Sequence, residues 1–181
     1  MSISSRDNIT RHICLDALLI AFAMILSYLE VLLPLNVWIP LPGFRLGLAN
    51  LAVVAAFCLL SPKDAAIISG IRILTMGLLF GSVTSLYFSA LGGLLSYLML
   101  LLLSKRAKRH LSLAGVSVLC AAAHNCGQIL AAVTLFGWSL IVSYLPFLLI
   151  SAVICGGAVG LLLNLLLPRL ERLVQRRREV Q

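Results

Sequence analysis

Between Val83 and Leu103 the chain carries no charged side chain. Similar runs, roughly 15 to 28 residues long and separated by short polar breaks, recur along the sequence. About 20 apolar helical residues cross the hydrocarbon core of a bilayer. The runs are continuous rather than alternating and far longer than barrel strands need, so they read as helices. Composition agrees: 61% of the 181 residues are hydrophobic and only 11% are charged. A soluble domain of this length could not cover so much apolar surface. Length suggests one domain.

Six segments can be drawn: Ile13–Leu33, Leu46–Leu60, Ala65–Phe80, Val83–Leu103, Leu113–Phe136 and Leu140–Leu167. The third is short and interrupted by Gly70, Arg72 and Gly77, and the sixth contains Pro146. Basic residues fall on alternate connections. Arg6 and Arg11 precede segment one, and Lys63 separates two from three. Lys105, Arg106, Lys108 and Arg109 separate four from five, and Arg169, Arg172 and Arg176 to Arg178 follow six. The other connections, NVWIPLPGF, GSVT and GWS, carry no charge. The positive-inside rule then puts every basic cluster in the cytoplasm. The expectation is an all-α integral membrane protein of the cytoplasmic membrane. It is a bundle of six transmembrane helices with N- and C-termini cytoplasmic. Residues 1–12 form the cytoplasmic N-terminus, 13–167 the transmembrane domain and 168–181 a basic cytoplasmic tail. Segment one is too long for the apolar region of a signal peptide and lacks a following A-x-A site, so it is expected to remain. The net charge of +8 is thus a topology signal. The basic clusters suit anionic membrane lipid, not nucleic acid.

Small residues one turn apart permit close helix contact in lipid. Ala17 and Ala21 form AxxxA on segment one, Ala52 and Ala56 form another on segment two, and Gly156, Gly157 and Gly160 give GGxxG on segment six. Each suits either packing within the chain or docking onto a partner.

Polar groups at membrane depth point to function. Arg72 sits near the middle of segment three, where an arginine costs about 2.5–3.5 kcal/mol on insertion scales and faces the bundle interior. Arg45 opens segment two, with Asn50 one turn in; Glu30, Asn36 and Trp38 lie near the outer end of segment one and beyond. Tyr87 and Ser89 lie near the outer end of segment four. On segment five, CAAAHNCGQIL places His124 and Gln128 on one face and offsets Asn125 by roughly 100°. A bundle could gather Arg45, Asn50, Arg72, Tyr87, His124, Asn125 and Gln128 into an outward-facing substrate pocket. Asn125 is expected to bridge to a neighbouring helix. The two arginines outnumber Glu30, which suits an anionic or strongly polar ligand. The structural alternative is that Arg72 pairs with Glu30 and the amides make hydrogen bonds between helices.

Other chemistry is not expected. Cys120 and His124 share a helical face, but Cys126 lies roughly 200° away, so no metal is assigned. The five cysteines are scattered through the segments and suggest no disulfide framework. There is no GxxxxGK[ST], no HExxH and no Ser-His-Asp order. Diphosphate chemistry with Mg²⁺ uses clustered carboxylates. The six acidic residues are dispersed in sequence. No enzymatic activity and no cofactor are expected.

LPGFRLGLANLAVV (41–54), SLYFSALGGLLSYLML (85–100), GVSVLCAAAHNCGQILAA (115–132) and SYLPFLLISAVICGGAVGLL (143–162) resemble the Gx transporter family, also described as heptaprenyl diphosphate synthase component I. The resemblance covers about residues 13 to 167. Cys120 departs from it, standing where the family usually has glycine. The family in turn resembles the substrate-capture (S) subunits of energy-coupling-factor transporters. That resemblance implies capture of a small-molecule substrate outside. It also implies docking through Ala17 and Ala21 onto a transmembrane coupling subunit driven by an ATPase pair. The family's enzyme description implies instead a non-catalytic membrane subunit tied to prenyl diphosphate, quinone or redox metabolism.

Overall fold

The computed structural model describes residues 3–33, 45–106, 112–138 and 141–179. Asn36 and Trp38 lie outside the described residues. Among the described residues six helices follow one another: α1 (Ile3–Leu32), α2 (Asn50–Leu59), α3 (Pro62–Phe80), α4 (Val83–Arg106), α5 (Leu113–Phe136) and α6 (Ile141–Glu179). No strand occurs among the described residues.

Local chemistry sets the helix ends. Ser61 caps α3: its Oγ accepts the Asp64 N–H at 3.3 Å and donates to Asp64 Oδ2 at 2.7 Å, with Pro62 in the first turn. Ser112 caps α5 through the Gly115 N–H at 3.1 Å. Gly137, at φ 82°, ends α5 and returns its N–H to the Val133 carbonyl at 3.0 Å. The α6 helix continues through Pro146 and Pro168.

Among the described residues four stretches are long and apolar enough to cross a membrane: His12–Leu32, Val83–Leu103, Leu113–Phe136 and Leu148–Arg169. The chain is therefore a helical membrane protein. Two of the six expected segments differ from these. The α3 helix carries Lys63, Asp64 and Arg72 among its 19 residues. The α2 helix has only 10 residues, about 15 Å at helical rise, half the hydrocarbon thickness. The expected segment Leu46–Leu60 is thus helical only from Asn50. The preceding residues 45–49 are non-helical, with Gly47 at φ 81°, a conformation that other residues rarely adopt.

Around this short helix the other five are arranged in the order α1, α3, α4, α5, α6, each packed on the next. Among the described residues α2 touches all five, and it alone lies between α1 and α6. Residues Asn50 to Ala56 of α2 are all buried. Leu51, Val53 and Val54 join Leu19 and Ala23 of α1, Ile68 of α3, Leu100 of α4, Cys120 of α5 and Leu163 of α6 in the main core. The small-residue motifs sort by where they fall. Ala52 and Ala56 are fully buried inside the bundle. A Cβ on Gly156 or Gly160 would come within 2.7 Å of Val118 Cα or 2.4 Å of Ala114 Cα, so both glycines serve the α5–α6 contact. Ala17 and Ala21 are exposed on the outer face of α1.

A buried polar cluster around an unwound segment

Buried non-helical backbone survives where other parts of the chain satisfy its polar groups. Residues 45–49 show how. The Leu48 N–H donates to Glu30 Oε1 from α1. The Arg45 carbonyl accepts from Gln128 Nε2 of α5 at 3.0 Å. The Gly47 carbonyl accepts the Asn50 N–H at 3.0 Å and so starts α2. Arg45, Gly47, Ala49 and Asn50 are all buried.

Gln128 also fixes the state of His124. Its Nε2 lies 3.0 Å from both the Arg45 carbonyl and His124 Nε2. A carbonyl can only accept, so the nitrogen of the amide faces it, and the second amide hydrogen points at the imidazole. His124 Nε2 is therefore the acceptor, and its ring is neutral with the proton on Nδ1. The ring is wedged between two glycines. A Cβ on Gly92 of α4 would lie 2.7 Å from His124 Cε1, and one on Gly47 would lie 3.3 Å from Cδ2 and 3.2 Å from Asn50 Nδ2. Only glycine at these positions lets α4 and the unwound segment close on the ring.

The two arginines are held by serines of different helices. Arg45 Nη2 donates to Ser85 Oγ of α4 at 3.1 Å, and Arg72 Nη1 donates to Ser27 Oγ of α1 at 3.3 Å. Both arginines act electrostatically on the Glu30 carboxylate. Among the described residues neither forms an ion pair with it within 4 Å; the only pairs at that distance join His12 to Asp16 and Asp64. A closed Arg72–Glu30 salt bridge, the structural alternative read from the sequence, is thus absent.

Six of the seven sequence-derived residues are buried: Arg45, Asn50, Arg72, His124, Asn125 and Gln128. Asn125 bridges helices, as its offset suggests, donating through Nδ2 to the Leu148 carbonyl at 2.5 Å and to Ser151 Oγ at 3.1 Å, both on α6. Tyr87 stays at the surface, 38% exposed, with its hydroxyl accepting from Thr134 Oγ1 at 3.2 Å. The cluster instead draws Ser85 from α4, and Ser89 is buried on the same face, with Gly92 one turn further along it. Those positions recur at helical spacing, and Tyr87 falls on the opposite side. Ser27, three residues before Glu30 on α1, was equally readable from that spacing.

Several polar atoms of the cluster make no hydrogen bond: Glu30 Oε2, Asn50 Nδ2, Arg72 Nε and Nη2, Ser89 Oγ and Gln128 Oε1. They come from five different helices. Buried polar atoms are nearly always paired in native proteins, so a group of orphans in one region requires an explanation.

Two other features lie apart. At the opposite end of α1, the His12, Asp16 and Asp64 ligand atoms lie within 4.8 Å of one another. Asp64 joins His12 and Asp16 only through the turn between α2 and α3, so chain spacing alone does not reveal the group. Between α3 and α4 a surface groove of about 380 Å³ is lined by small and apolar residues, among them Ala66, Gly70, Ala90 and Gly93. Cys126 is exposed while Cys120 and His124 are buried, so these three do not form a metal set.

The family model for heptaprenyl diphosphate synthase component I matches residues 19–166. The chain belongs to that family. The match takes in the unwound segment, α2 to α5 and the membrane-crossing part of α6, so every residue of the cluster lies inside it. The family's description names one component of a synthase, and so one part of a multi-component assembly. Neither the curated proteins nor the solved structures contain a match to the chain.

Proposed function

We propose that this family member is a substrate-binding membrane subunit of an energy-coupling-factor-type importer. It captures a small polar or anionic metabolite from outside the cytoplasmic membrane and relies on a coupling subunit and a pair of ATPases for energy. The observation that carries the reading is the unwound segment 45–49 ringed by orphaned polar atoms from five helices. Non-helical backbone within a membrane protein is tolerated where it is buried in protein or lines a cavity, and such backbone with buried polar side chains beside it can meet a ligand. In this reading Arg45 and Arg72 neutralise ligand charge, and Asn50, His124 and Gln128 read its hydrogen-bonding groups. Asn125 holds α6 against α5, and Tyr87 lies on the opposite face of α4, paired with Thr134. The distribution of the basic clusters supports an orientation with the polar cluster toward the outer face. Ala17 and Ala21, exposed on α1, are free to meet the coupling subunit.

The family description favours a second reading: a non-catalytic membrane component that holds a prenyl diphosphate-forming or redox enzyme at the bilayer. Affinity purification from native membranes separates the two. Recovery of an ATPase pair with a polytopic coupling subunit supports import; recovery of a prenyl synthase alone supports the second reading.

A further inference from the structure

We infer that the ligand of the buried cluster carries a single carboxylate, and that this group seats side-on against the Nε–Nη2 edge of Arg72. The inference rests on the ligand-binding reading above and adds the chemical class of the ligand. Arg72 is 2% exposed. Its Nη1 is engaged by Ser27, while Nε and Nη2 have no partner. Those two nitrogens share one edge of the guanidinium, and their N–H bonds run parallel. This is the geometry that the two oxygens of a carboxylate match bidentately. Left empty in the interior, such a charged edge carries its full desolvation penalty. The protein's own carboxylate does not fill it: Glu30 stands more than 4 Å from either guanidinium, with Oε1 accepting from Leu48.

Charge decides between oxyanions. Arg45 and Arg72 contribute two positive charges and Glu30 one negative, and His124 is neutral because its Nε2 accepts from Gln128. Counted with Glu30 ionised, the cluster is one charge positive. A monocarboxylate brings it to neutrality, whereas a phosphate monoester dianion would leave an uncompensated negative charge in a low-dielectric interior. The remaining orphans describe the body of the ligand. Asn50 Nδ2 calls for an acceptor, and Glu30 Oε2 and Gln128 Oε1 call for N–H or O–H donors.

The probes are sodium acetate, acetamide and inorganic phosphate, added to the full-length protein in detergent micelles at ionic strength matched with sodium chloride. Thermal unfolding is the readout, since a ligand of the native state raises Tm by mass action. Acetate is expected to raise Tm in a saturable way, acetamide not at all, and phosphate less than acetate. Arg72→Lys keeps the charge but lacks the two-nitrogen edge, and is expected to weaken the apparent acetate Kd at least tenfold. Glu30→Gln makes the cluster two charges positive and is expected to shift the preference toward phosphate. An acetate effect equal to that of matched chloride would mean that water fills the edge, and overturns the proposal. So does phosphate outperforming acetate in the wild type, or acetate binding unchanged in Arg72→Lys. Should Arg72→Lys fail to fold, an unchanged preference in Glu30→Gln overturns it instead. The two readings fail separately. A retained uncharged small molecule with inert acetate removes the carboxylate and leaves ligand binding standing. Acetate binding at Arg72 in a protein that recovers no ATPase or coupling subunit keeps the carboxylate seat and removes import.

Discussion

At Gly127 the backbone of α5 lies directly against that of α4, and its replacement tests the packing that holds the cluster. A Cβ built there lies 2.4 Å from the Leu91 carbonyl oxygen and 2.7 Å from Gly92 Cα. Both are backbone atoms, so no side-chain rotation relieves the clash; the helices themselves must separate. Gly92 in turn is packed on the His124 ring, so separation also loosens the cluster. Overpacking a well-fitted contact costs about 1–3 kcal/mol, and a backbone obstacle belongs at the upper end. Alanine recovers about 1 kcal/mol of helix propensity over glycine. Gly127→Ala is therefore expected to lose about 2 kcal/mol net, equivalent to a Tm fall of roughly 4–8 °C for a chain of this size. Gly157, one turn of α6 with nothing within 4 Å of a Cβ, is the internal control. Gly157→Ala is expected to leave Tm unchanged or raise it slightly. The assay is thermal unfolding of both purified variants in the same detergent, followed by tryptophan fluorescence. Equal stability of the two variants would refute the claim that direct backbone contact at Gly127 sets the α4–α5 distance.

Other outcomes follow from single contacts. Gln128→Leu leaves the buried Arg45 carbonyl without a donor and is expected to cost about 1–3 kcal/mol, seen in the same unfolding assay. Asn125→Ala removes a bridge to α6 and is expected to cost about 0.6 kcal/mol, up to roughly 1.7, because hydrogen bonds between membrane helices are individually modest. Ala52→Leu forces a large side chain into a fully buried position and is expected to destabilise by about 1–3 kcal/mol, while Ala17→Leu on the exposed face stays within about 0.5 kcal/mol of wild type. Under the import reading, Ala17→Leu nevertheless loses the coupling subunit on affinity purification.

The long helices were legible because their signal is local. Val83–Leu103 and Leu113–Phe136 emerge with the boundaries that their uncharged runs and the Ser112 and Gly137 ends dictate. The second segment was not, because its unwinding is decided by distant residues. An apolar stretch through Leu46 and Leu48 reads as helix until Glu30 and Gln128 are known to take up its backbone groups. The same holds within the site. Arg72, His124 and Gln128 announce themselves by being polar in apolar runs. Tyr87 was grouped with them by depth alone, although helical spacing sets it opposite Ser85 and Ser89. The structural alternative paired Arg72 with Glu30, but the observed hydrogen-bond partner is Ser27, one turn away on the same face of α1.

If the protein binds a ligand, a small molecule completes the orphaned polar atoms around residues 45–49. Native mass spectrometry of the full-length protein, released from its own membranes without added ligand, is the test. A stoichiometric small-molecule adduct is expected on the wild type, lost in His124→Ala and Arg72→Lys but kept in Tyr87→Phe. A bare polypeptide mass for the wild type, or an adduct retained undiminished in both cluster variants, would contradict it.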